Sequence, residues 1–313
     1  MTKHVKWVLA HEPIELFIRA AKVFADEVNK NAPGELDVEV MTMSEYGEKY
    51  NNGVAPDKHS LVNLLDLDDI QMSQTYTVTL GKINKDFFAL DLPFLFRDHD
   101  HATRVFEGEV GTQLLNSLED SANVKGLAFT YSGGFRIIPG NKRVSRIEDL
   151  RNVKVRTSYS PVAIDTFKTL GAEVVPMEIE ELTDELADAT VTVGESTYPR
   201  VYALGHNTAS KYINHTEHSL FLTTILISTE FWRGLTPELQ SVVTEAAKAA
   251  ARYERSISIE DVIATQARAE ADGIEVVKMS AEEQHRFAHA TKPIYLKYTN
   301  YFTPGLVDKI LRD

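Results

Sequence analysis

The sequence predicts an α/β fold with largely parallel sheets, divided between two domains. Short runs rich in β-branched residues alternate with longer amphipathic segments, which is typical of parallel strands joined by helices. The first three of these segments follow the order strand, helix, strand. The chain has 313 residues, more than one hydrophobic core usually serves, although a single large domain is the alternative.

The first elements predict a β-α-β unit. "HVKWVLA" is typical of a strand, and "LDVEVMTM" alternates as a second strand. Between them, "IELFIRAAKVFADEVNKNAPG" predicts a helix that ends before Gly34. Its apolar residues recur at helical spacing and share one face; they are Ile14, Phe17, Ala20, Ala21 and Phe24.

The middle and the end of the chain continue the alternation. "VKGLAFTYS", "VKVRTS", "AEVVPM" and "ATVTVG" predict short strands, and "PVAIDTFKTLG" predicts a helix that ends at Gly171. Helical composition then runs from Thr236, a candidate N-cap before Pro237, to Gly273. A helix of about 36 residues would be about 54 Å long, so we expect it to span two domains. A break near "SISIED" is the alternative.

Composition excludes several classes of protein. The formal net charge of −13 disfavours binding to nucleic acid, which needs clustered Lys and Arg. The early apolar run "VKWVLA" is far shorter than the roughly 20 residues of a membrane span, so we expect a chain that does not itself cross a membrane. The chain has no cysteine, which excludes disulfides, thiolate metal sites and cysteine nucleophiles.

The common cofactor and metal motifs are missing, so we expect no cofactor and no metal. His99 and His101 in "RDHDHATRV" would splay apart on a helix, which favours a capped, solvated helix start. His215 and His218 in "INHTEHS" have a spacing that could converge on one helical turn, but no carboxylate with motif spacing accompanies them. A structural or hydrogen-bonding role is favoured for this pair.

The stretch "ATVTVGESTY" places Ser196 after a glycine, as in the G-x-S-x-G turn of hydrolases. The second glycine of that motif is replaced by Tyr198, which would obstruct the helix that must pack beneath the serine. A serine hydrolase that uses Ser196 is therefore the alternative hypothesis, and no catalytic residue is expected. Glu195 is expected to be structural.

Two arginines predict a site for an acid. Arg136 follows "YSGGF", and Arg156 closes the strand "VKV". The carboxyl end of a parallel strand faces the crevice in which α/β proteins bind ligands. A guanidinium there can bind a carboxylate with two parallel hydrogen bonds. A surface or interdomain ion pair is the alternative for each arginine.

Longer stretches carry a resemblance to a known family. "GGFRIIPGNKRVSRIEDLRNVKVRTSYSPVAIDTFKTLGAEVVPM" and "ELTDELADATVTVGESTY" resemble the substrate-binding subunits of tripartite ATP-independent periplasmic (TRAP) transporters, the DctP-type family. "ALDLPFLFRDHDHATRVF" and "FWRGLTPELQSVVTEAAKAAA" match further pieces, so the resemblance covers nearly the whole chain.

The resemblance implies a bilobed periplasmic-binding-protein fold of clam-shell type, with two α/β domains joined by hinge strands and a long domain-spanning helix. We expect residues 1–132 and 222–261 in the first lobe, and 133–221 and 262–313 in the second. The implied function is capture of a small organic acid in an interlobe cleft and its delivery to TRAP membrane subunits. A periplasmic location, removal of a signal peptide and a monomeric state are also expected.

The resemblance also assigns site residues. Arg156 matches the arginine that clamps the ligand carboxylate, and Arg136 matches a second pocket arginine. Ser196 falls where many members have Asn, and Thr192 replaces the Asp of the same motif. The first lobe is expected to contribute a polar wall residue and a turn after the first strand, which are Gln74 and the turn of Ala10, His11 and Glu12.

Four classes of ligand are consistent with these residues. A sugar acid or other polyhydroxylated monocarboxylate suits His11, Glu12, Gln74 and Ser196, because hydroxyl groups need both donors and acceptors. A dicarboxylate or a keto acid is an alternative, the former using Arg136 for a second carboxylate. An aromatic acid would stack on aromatic side chains, of which the candidates are Tyr76, Phe135, Tyr159 and Tyr198.

Overall fold

The computed structural model describes residues 2–11 and 15–313, and its elements alternate as the sequence predicts. The strands are β1 (Lys3–Leu9), β2 (Leu36–Met41), β3 (Met72–Tyr76), β4 (Val124–Phe135), β5 (Ile138–Gly140), β6 (Lys154–Thr157), β7 (Glu173–Pro176), β8 (Val193–Gly194), β9 (Tyr212–His215), β10 (Leu220–Ser228) and β11 (Glu275–Lys278). The helices are α1 (Glu15–Asn31), α2 (Met43–Tyr50), α3 (Leu61–Asp66), α4 (Thr77–Leu80), α5 (His99–Glu107), α6 (Glu109–Asn116), α7 (Pro161–Thr169), α8 (Leu182–Ala187), α9 (Tyr198–Ala203), α10 (His206–Ala209), α11 (Thr229–Arg233), α12 (Pro237–Ala271), α13 (Ala281–Ala290), α14 (Lys292–Tyr298) and α15 (Leu306–Arg312). Short 3-10 segments are Lys85–Asp91, Ser117–Asp120, Ile147–Leu150 and Ile179–Glu181.

The chain folds into two compact units, each built from separate stretches of sequence. Unit 1 comprises residues 1–84, 103–132 and 222–257, and unit 2 comprises residues 85–102, 133–221 and 258–313. This grouping differs from the expected lobes for residues 85–102, because the 3-10 segment Lys85–Asp91 packs against α7 of unit 2. It also divides α12 after Ile257 rather than after residue 261.

Unit 1 contains a five-stranded sheet in the order β2-β1-β3-β10-β4. Strand β1 is parallel to β2 and to β3, and β10 is antiparallel to β3. The predicted β-α-β unit is confirmed, and α1 buries the face that its spacing predicts, apart from Ile14, which lies outside the described residues. Trp7 of β1 packs edge-on against Phe24 of α1, with 5.0 Å between the ring centroids.

Unit 2 contains a six-stranded sheet in the order β11-β9-β5-β8-β6-β7. Strand β6 is parallel to both neighbours, and β9 is parallel to β11, whereas β5 is antiparallel to β8 and β9. The sheets are therefore mixed rather than largely parallel. A core cluster packs on this sheet, consisting of Ile138, Val144, Leu150, Val153, Val155, Phe167, Leu170, Val193, Met279 and Phe287.

The strand predicted from "ATVTVG" is wrong in length, since β8 contains Val193 and Gly194. Ala189 has a left-handed φ of 58°, which a strand cannot accommodate. The backbone N–H groups of Thr190 and Val191 both donate to the carbonyl of Glu185 and close the turn after α8. The residues before Val193 therefore end a helix rather than begin a strand.

Helix α12 is continuous over 35 residues, and no break occurs at "SISIED". The Thr236 hydroxyl accepts a hydrogen bond from the backbone N–H of Leu239 at 3.3 Å, as an N-cap residue does. Residues up to Ile257 belong to unit 1, and the rest belong to unit 2. Across residues 2–11 and 15–313, no helix combines the length and the apolar character that a membrane crossing requires.

Candidate functional site

Two glycines bring Arg136 to its position at the end of β4. Gly133 and Gly134 both have positive φ, at 92° and 81°, a conformation that favours glycine. A Cβ on Gly133 would also lie 2.4 Å from the hydroxyl oxygen of Thr197. Past this turn, the backbone N–H of Arg136 donates to the carbonyl of Ser219 at 2.8 Å. The sequence "SGGF" therefore fixes where the Arg136 side chain begins.

The Arg136 guanidinium is buried, lies on the ring of Phe221 with its carbon 3.9 Å from the centroid, and has acids on two sides. Nη2 is 4.0 Å from Oδ1 of Asp91, and Nε is 3.9 Å from Oε1 of Glu195. Both distances are too long for a hydrogen bond. Nη1 has no hydrogen-bond partner among the described residues. The site thus holds a buried cation with an unsatisfied donor.

Arg156 on β6 is buried and is oriented by backbone carbonyl groups. Its Nε and Nη2 donate to the carbonyl of Met177 at 3.0 and 2.6 Å, and its Nη1 donates to that of Glu195 at 3.1 Å. A guanidinium carries five N–H groups, so these three bonds leave two for a ligand. Burial lowers the pKa of Arg156 to about 10, against the charge of Glu195, so the side chain stays protonated at neutral pH.

Glu195 is a buried anion held by hydrogen bonds. One carboxylate oxygen accepts from the Thr157 hydroxyl, and the other accepts from Nε2 of His218 at 2.9 Å. Nδ1 of His218 is in turn 2.8 Å from the hydroxyl oxygen of Thr216. Burial raises the pKa of Glu195, but the charge of Arg136 and the His218 hydrogen bond outweigh it and lower that pKa to about 2. Glu195 is therefore ionised at neutral pH beside both arginines.

Asp91, at the end of the 3-10 segment in "ALDLPF", lies beside Arg136 and is not among the residues that the sequence predicts for the site. Its side chain is buried, interacts with the Ser160 hydroxyl, and has an oxygen, Oδ2, without a hydrogen-bond partner among the described residues. Burial raises the pKa of Asp91 to about 6, although the charge of Arg136 opposes this. A single acid inside an apolar run was the available signal, since such a residue is rarely buried without a purpose.

Ser196 lies next to Arg136 in space, because its backbone pairs in both directions with Ile137 at 2.9 Å. Its side chain is fully buried, and its hydroxyl has no hydrogen-bond partner among the described residues. Among the described residues, no histidine therefore contacts the hydroxyl as the base of a hydrolase would.

The aromatic candidates of unit 2 have different surroundings. Tyr198 is buried in a core cluster with Ile137, Val201 and Ile213, and its hydroxyl is 2.8 Å from Nδ1 of His215. Burial raises the pKa of Tyr198. Tyr159 lies between β6 and α7 and is 50% exposed, so it is open to contact with a ligand. The ring of Phe135 lies 4.9 Å from that of His99.

The predicted first-lobe residues lie in unit 1. Gln74 on β3 is fully buried, and its amide nitrogen is 2.8 and 2.9 Å from the two carboxyl oxygens of Glu254 on α12. Burial raises the pKa of Glu254 well above its usual range. His11, directly after β1, is buried with its ring 6.1 Å from that of Tyr76. Glu12 lies outside the described residues.

His101 and His218, one from each of the two histidine pairs in the sequence, have hydrogen-bonding roles. Asp98 caps α5 by accepting from the backbone N–H of His101 at 2.7 Å. His101 is buried rather than solvated, and its Nε2–H donates to the carbonyl of Ile310 at 2.7 Å. His215 ends β9 and His218 follows it outside any helix, so the helical-turn arrangement is wrong while the hydrogen-bonding role is confirmed. Within the described part of the chain, no three His, Asp or Glu side chains are grouped to hold a metal.

Comparisons with known proteins give the family. The model of the bacterial extracellular solute-binding proteins, family 7, matches residues 10–300. The C4-dicarboxylate-binding protein DctB of Bacillus subtilis is 26% identical over 300 residues, which cover 93% of this chain and 81% of that relative.

Solved structures have the same fold. A TRAP periplasmic solute-binding protein from Ochrobactrum anthropi, with its C-terminus bound in the ligand-binding pocket, is 28% identical with a TM-score of 0.89, over 99% of this chain and 94% of that chain. One from Xanthobacter autotrophicus Py2, with bound β-D-galacturonate, is 26% identical with a TM-score of 0.84, over 98% of both chains. The α/β fold of periplasmic binding proteins is thereby confirmed, and the serine-hydrolase hypothesis is wrong, since these proteins bind solutes and are not enzymes. The chain belongs to family 7 of the bacterial extracellular solute-binding proteins.

Proposed function

We propose that this solute-binding protein captures a sugar acid or another polyhydroxylated monocarboxylate at the two arginines of unit 2. We propose further that it works in the periplasm as a monomer and delivers the acid to TRAP membrane subunits. The observation that carries the proposal is the pair of buried guanidiniums, of which Arg136 keeps an unpartnered Nη1 and Arg156 keeps two N–H groups. Buried cationic donors without acceptors fit an anionic ligand.

Arg156 is suited to hold the carboxylate. Its three bonds to carbonyl groups fix the plane of the guanidinium before the ligand arrives, so little side-chain entropy is lost on binding. Its carbonyl partners carry no net charge, and its positive charge remains available to the ligand. A carboxylate that accepts two parallel N–H bonds from a charged guanidinium is bound more strongly than one that accepts hydrogen bonds from neutral donors.

The surroundings of Arg136 favour one carboxylate over two. Asp91 and Glu195 lie 4.0 and 3.9 Å from its nitrogens and already offset its charge. A second ligand carboxylate beside these acids would bring like charges together in a buried region. The galacturonate bound by the Xanthobacter protein supports a monocarboxylate, whereas the name of the Bacillus relative supports the dicarboxylate alternative.

Hydroxyl groups on the ligand would match the unsatisfied polar atoms of unit 2. The Ser196 hydroxyl can both donate and accept, and Oδ2 of Asp91 also has unused hydrogen-bonding capacity. These contacts matter because a Kd of 1 μM corresponds to about −8.2 kcal/mol, and a charge-assisted hydrogen bond supplies roughly 1.5 to 3 kcal/mol. A role for His11, Glu12, Gln74 and Tyr76 of the first lobe, and for Tyr159 and Tyr198 of the second, stays a prediction.

A thermal-shift screen tests the proposal. The full chain is melted with D-galacturonate, D-glucuronate, succinate, pyruvate and benzoate, which represent the competing ligand classes. We expect a sugar acid to raise Tm in a concentration-dependent way, because a ligand at 100 times its Kd stabilises the folded state by about 2.7 kcal/mol. A larger shift with succinate or benzoate, or no shift with any acid, would contradict the proposed ligand class.

A further inference from the structure

Four ionisable side chains of unit 2 form one buried group, the arginine–carboxylate cluster of Arg136, Arg156, Glu195 and Asp91. Each is at most 6% exposed. Glu195 lies between the arginines, with its carboxylate 3.9 Å from Nε of Arg136 and its carbonyl 3.1 Å from Nη1 of Arg156. Asp91 lies on another side of Arg136, 4.0 Å from Nη2. Because solvent screens none of them fully, each charge affects the protonation of the others.

Where Asp91 lies beside Arg136, each side chain has one atom with unused hydrogen-bonding capacity. Oδ2 of Asp91 and Nη1 of Arg136 are both buried without a partner among the described residues. They belong to neighbouring side chains of opposite charge, yet no hydrogen bond joins those side chains. Protonation of Asp91 would replace the open acceptor by a donor, so both side chains could then donate to one ligand carboxylate.

When an acid is bound, the net charge of the cluster is zero only if Asp91 is neutral. Arg136 and Arg156 contribute two positive charges, and Glu195 contributes one negative charge that its depressed pKa of about 2 maintains. One ligand carboxylate completes the balance. An ionised Asp91 would then be an excess negative charge in a buried site. Because the pKa of Asp91 is raised to about 6, a small further rise would protonate it at neutral pH.

We propose that Asp91 is a residue of the ligand site and that it takes up one proton from solvent when a monocarboxylate binds. The inference rests on the proposed function, because it requires an acid at these arginines. Protonation converts Asp91 from an anion that repels the ligand carboxylate into an O–H donor that can hydrogen bond to it. Asp91 would therefore select for monocarboxylates. Once Asp91 is protonated it cannot take up another proton, so the charge of a second ligand carboxylate would stay unbalanced.

Two of the other acids on the elements around Asp91 have contacts of their own. The 3-10 segment and α7, which pack together, carry Lys85, Asp86, Asp165 and Lys168. Asp86 accepts from the backbone N–H of Thr303 at 2.8 Å, and Asp165 accepts from the Tyr298 hydroxyl at 2.7 Å. Arg136 and Glu195 are the charges that act on Asp91 most directly.

Isothermal titration calorimetry of the full chain tests the inference. D-galacturonate and D-glucuronate are titrated at pH 6, 7 and 8, in buffers of different ionisation enthalpy, which gives the number of protons bound with the ligand. We expect uptake approaching one proton per acid between pH 7 and 8. Affinity is then highest near pH 6 and Kd rises up to about tenfold for each pH unit above it, because one proton is linked to binding.

Two variants identify the group that titrates. Asp91→Asn, a neutral side chain of the same shape, should bind without proton uptake and with a Kd that is constant from pH 6 to 8. Asp100→Asn removes an equal charge from the exposed surface of α5 and should keep the proton uptake of the parent. Circular dichroism of both variants checks that they fold.

The outcomes distinguish a failure of the inference from a failure of the proposed function. If neither sugar acid binds at any pH, the proposed function fails and the inference fails with it. If the parent binds a sugar acid without proton uptake, the inference alone is overturned. Continued proton uptake in folded Asp91→Asn also overturns the inference. If that variant does not fold, the number of protons that the parent takes up on binding decides whether the inference holds.

Discussion

At the residue scale, Arg136 and Arg156 are held by different kinds of contact, which gives them different tasks. Arg156 is anchored by the carbonyls of Met177 and Glu195, and its orientation does not depend on a charged partner. Arg136 has acids at ion-pair distance but no side-chain hydrogen bond to either of them. Arg156 thus has a fixed orientation, which suits the carboxylate clamp that we propose, whereas Arg136 lies between two acids that it does not hydrogen bond.

Arg156→Ala should abolish most of the affinity for a sugar acid. We expect a loss of roughly 2 to 5 kcal/mol, the usual cost of removing one partner of a buried charge pair. Calorimetric titration with D-galacturonate measures it, with Arg143→Ala as the control, since Arg143 forms an exposed pair with Glu275. Equal affinity of Arg156→Ala and the parent would show that the carboxylate is bound elsewhere.

The sequence singled out the two arginines as candidates but did not single out Asp91, and the reason is physical. An arginine after a strand has a predictable direction, because the carboxyl end of a strand points to the ligand side of the sheet. Asp91 lies beside Arg136 and interacts with Ser160, and both of these residues are far from it along the chain. Such contacts leave no periodic signal in the residues around "ALDLPF".

At the scale of elements, strong local periodicity was a reliable guide and weak periodicity was not. The apolar face of α1 and the capped start of α12 were both predicted correctly. Strand β8 was predicted too long because the composition "ATVTV" favours a strand, whereas the turn at Ala189 depends on how α8 ends. Gln74, predicted for a pocket wall, donates from its amide group to Glu254 of α12, and its role towards a ligand stays a prediction. A β-strand has two faces, and the sequence did not reveal that the Gln74 side chain contacts α12.

The contribution of Glu254 on α12 to the free energy of unfolding depends on pH. Because its pKa is raised when the chain folds, its contribution to stability is fully present below about pH 4.5 and is lost as the pH rises towards the raised pKa. Glu254→Gln keeps the shape of the side chain without the charge. We expect the free energy of unfolding of this variant, relative to the parent, to increase from pH 5 to pH 8.

Urea unfolding at pH 5, 6.5 and 8 measures this difference. Glu245→Gln on the same helix is the control, because Glu245 is exposed and pairs with Lys248 at the surface. Its effect on stability should be small and nearly independent of pH. A constant difference between Glu254→Gln and the parent across this range would show that Glu254 is ionised in the folded protein.

At the scale of the whole molecule, each unit is assembled from pieces that are far apart in the sequence. Unit 2 takes residues from before β4, from the middle of the chain and from its end. Met279 and Phe287 from the last stretch pack into the same core as Val155 and Phe167. Strand β11 adds an outer strand to the sheet by pairing with β9.

Removal of residues 273–313 should therefore prevent unit 2 from folding and abolish the binding of acids. The shortened chain lacks β11 and two members of the unit 2 core, and the exposed apolar surface left behind would be large. Deletion of Arg312 and Asp313 is the control, since both are exposed. Circular dichroism, urea unfolding and calorimetric titration compare the two. Retention of sugar-acid binding by the shorter chain would contradict this account.

The division of the chain also sets an order of events during synthesis. Unit 1 has all of its residues once position 257 has emerged, but unit 2 must wait for the last helices, although Arg136 and Arg156 appear much earlier. A nascent chain can thus carry every residue of the arginine–carboxylate cluster without being able to form it. On our proposal, acid binding would therefore require residues 258–313 of unit 2 as well as the two arginines.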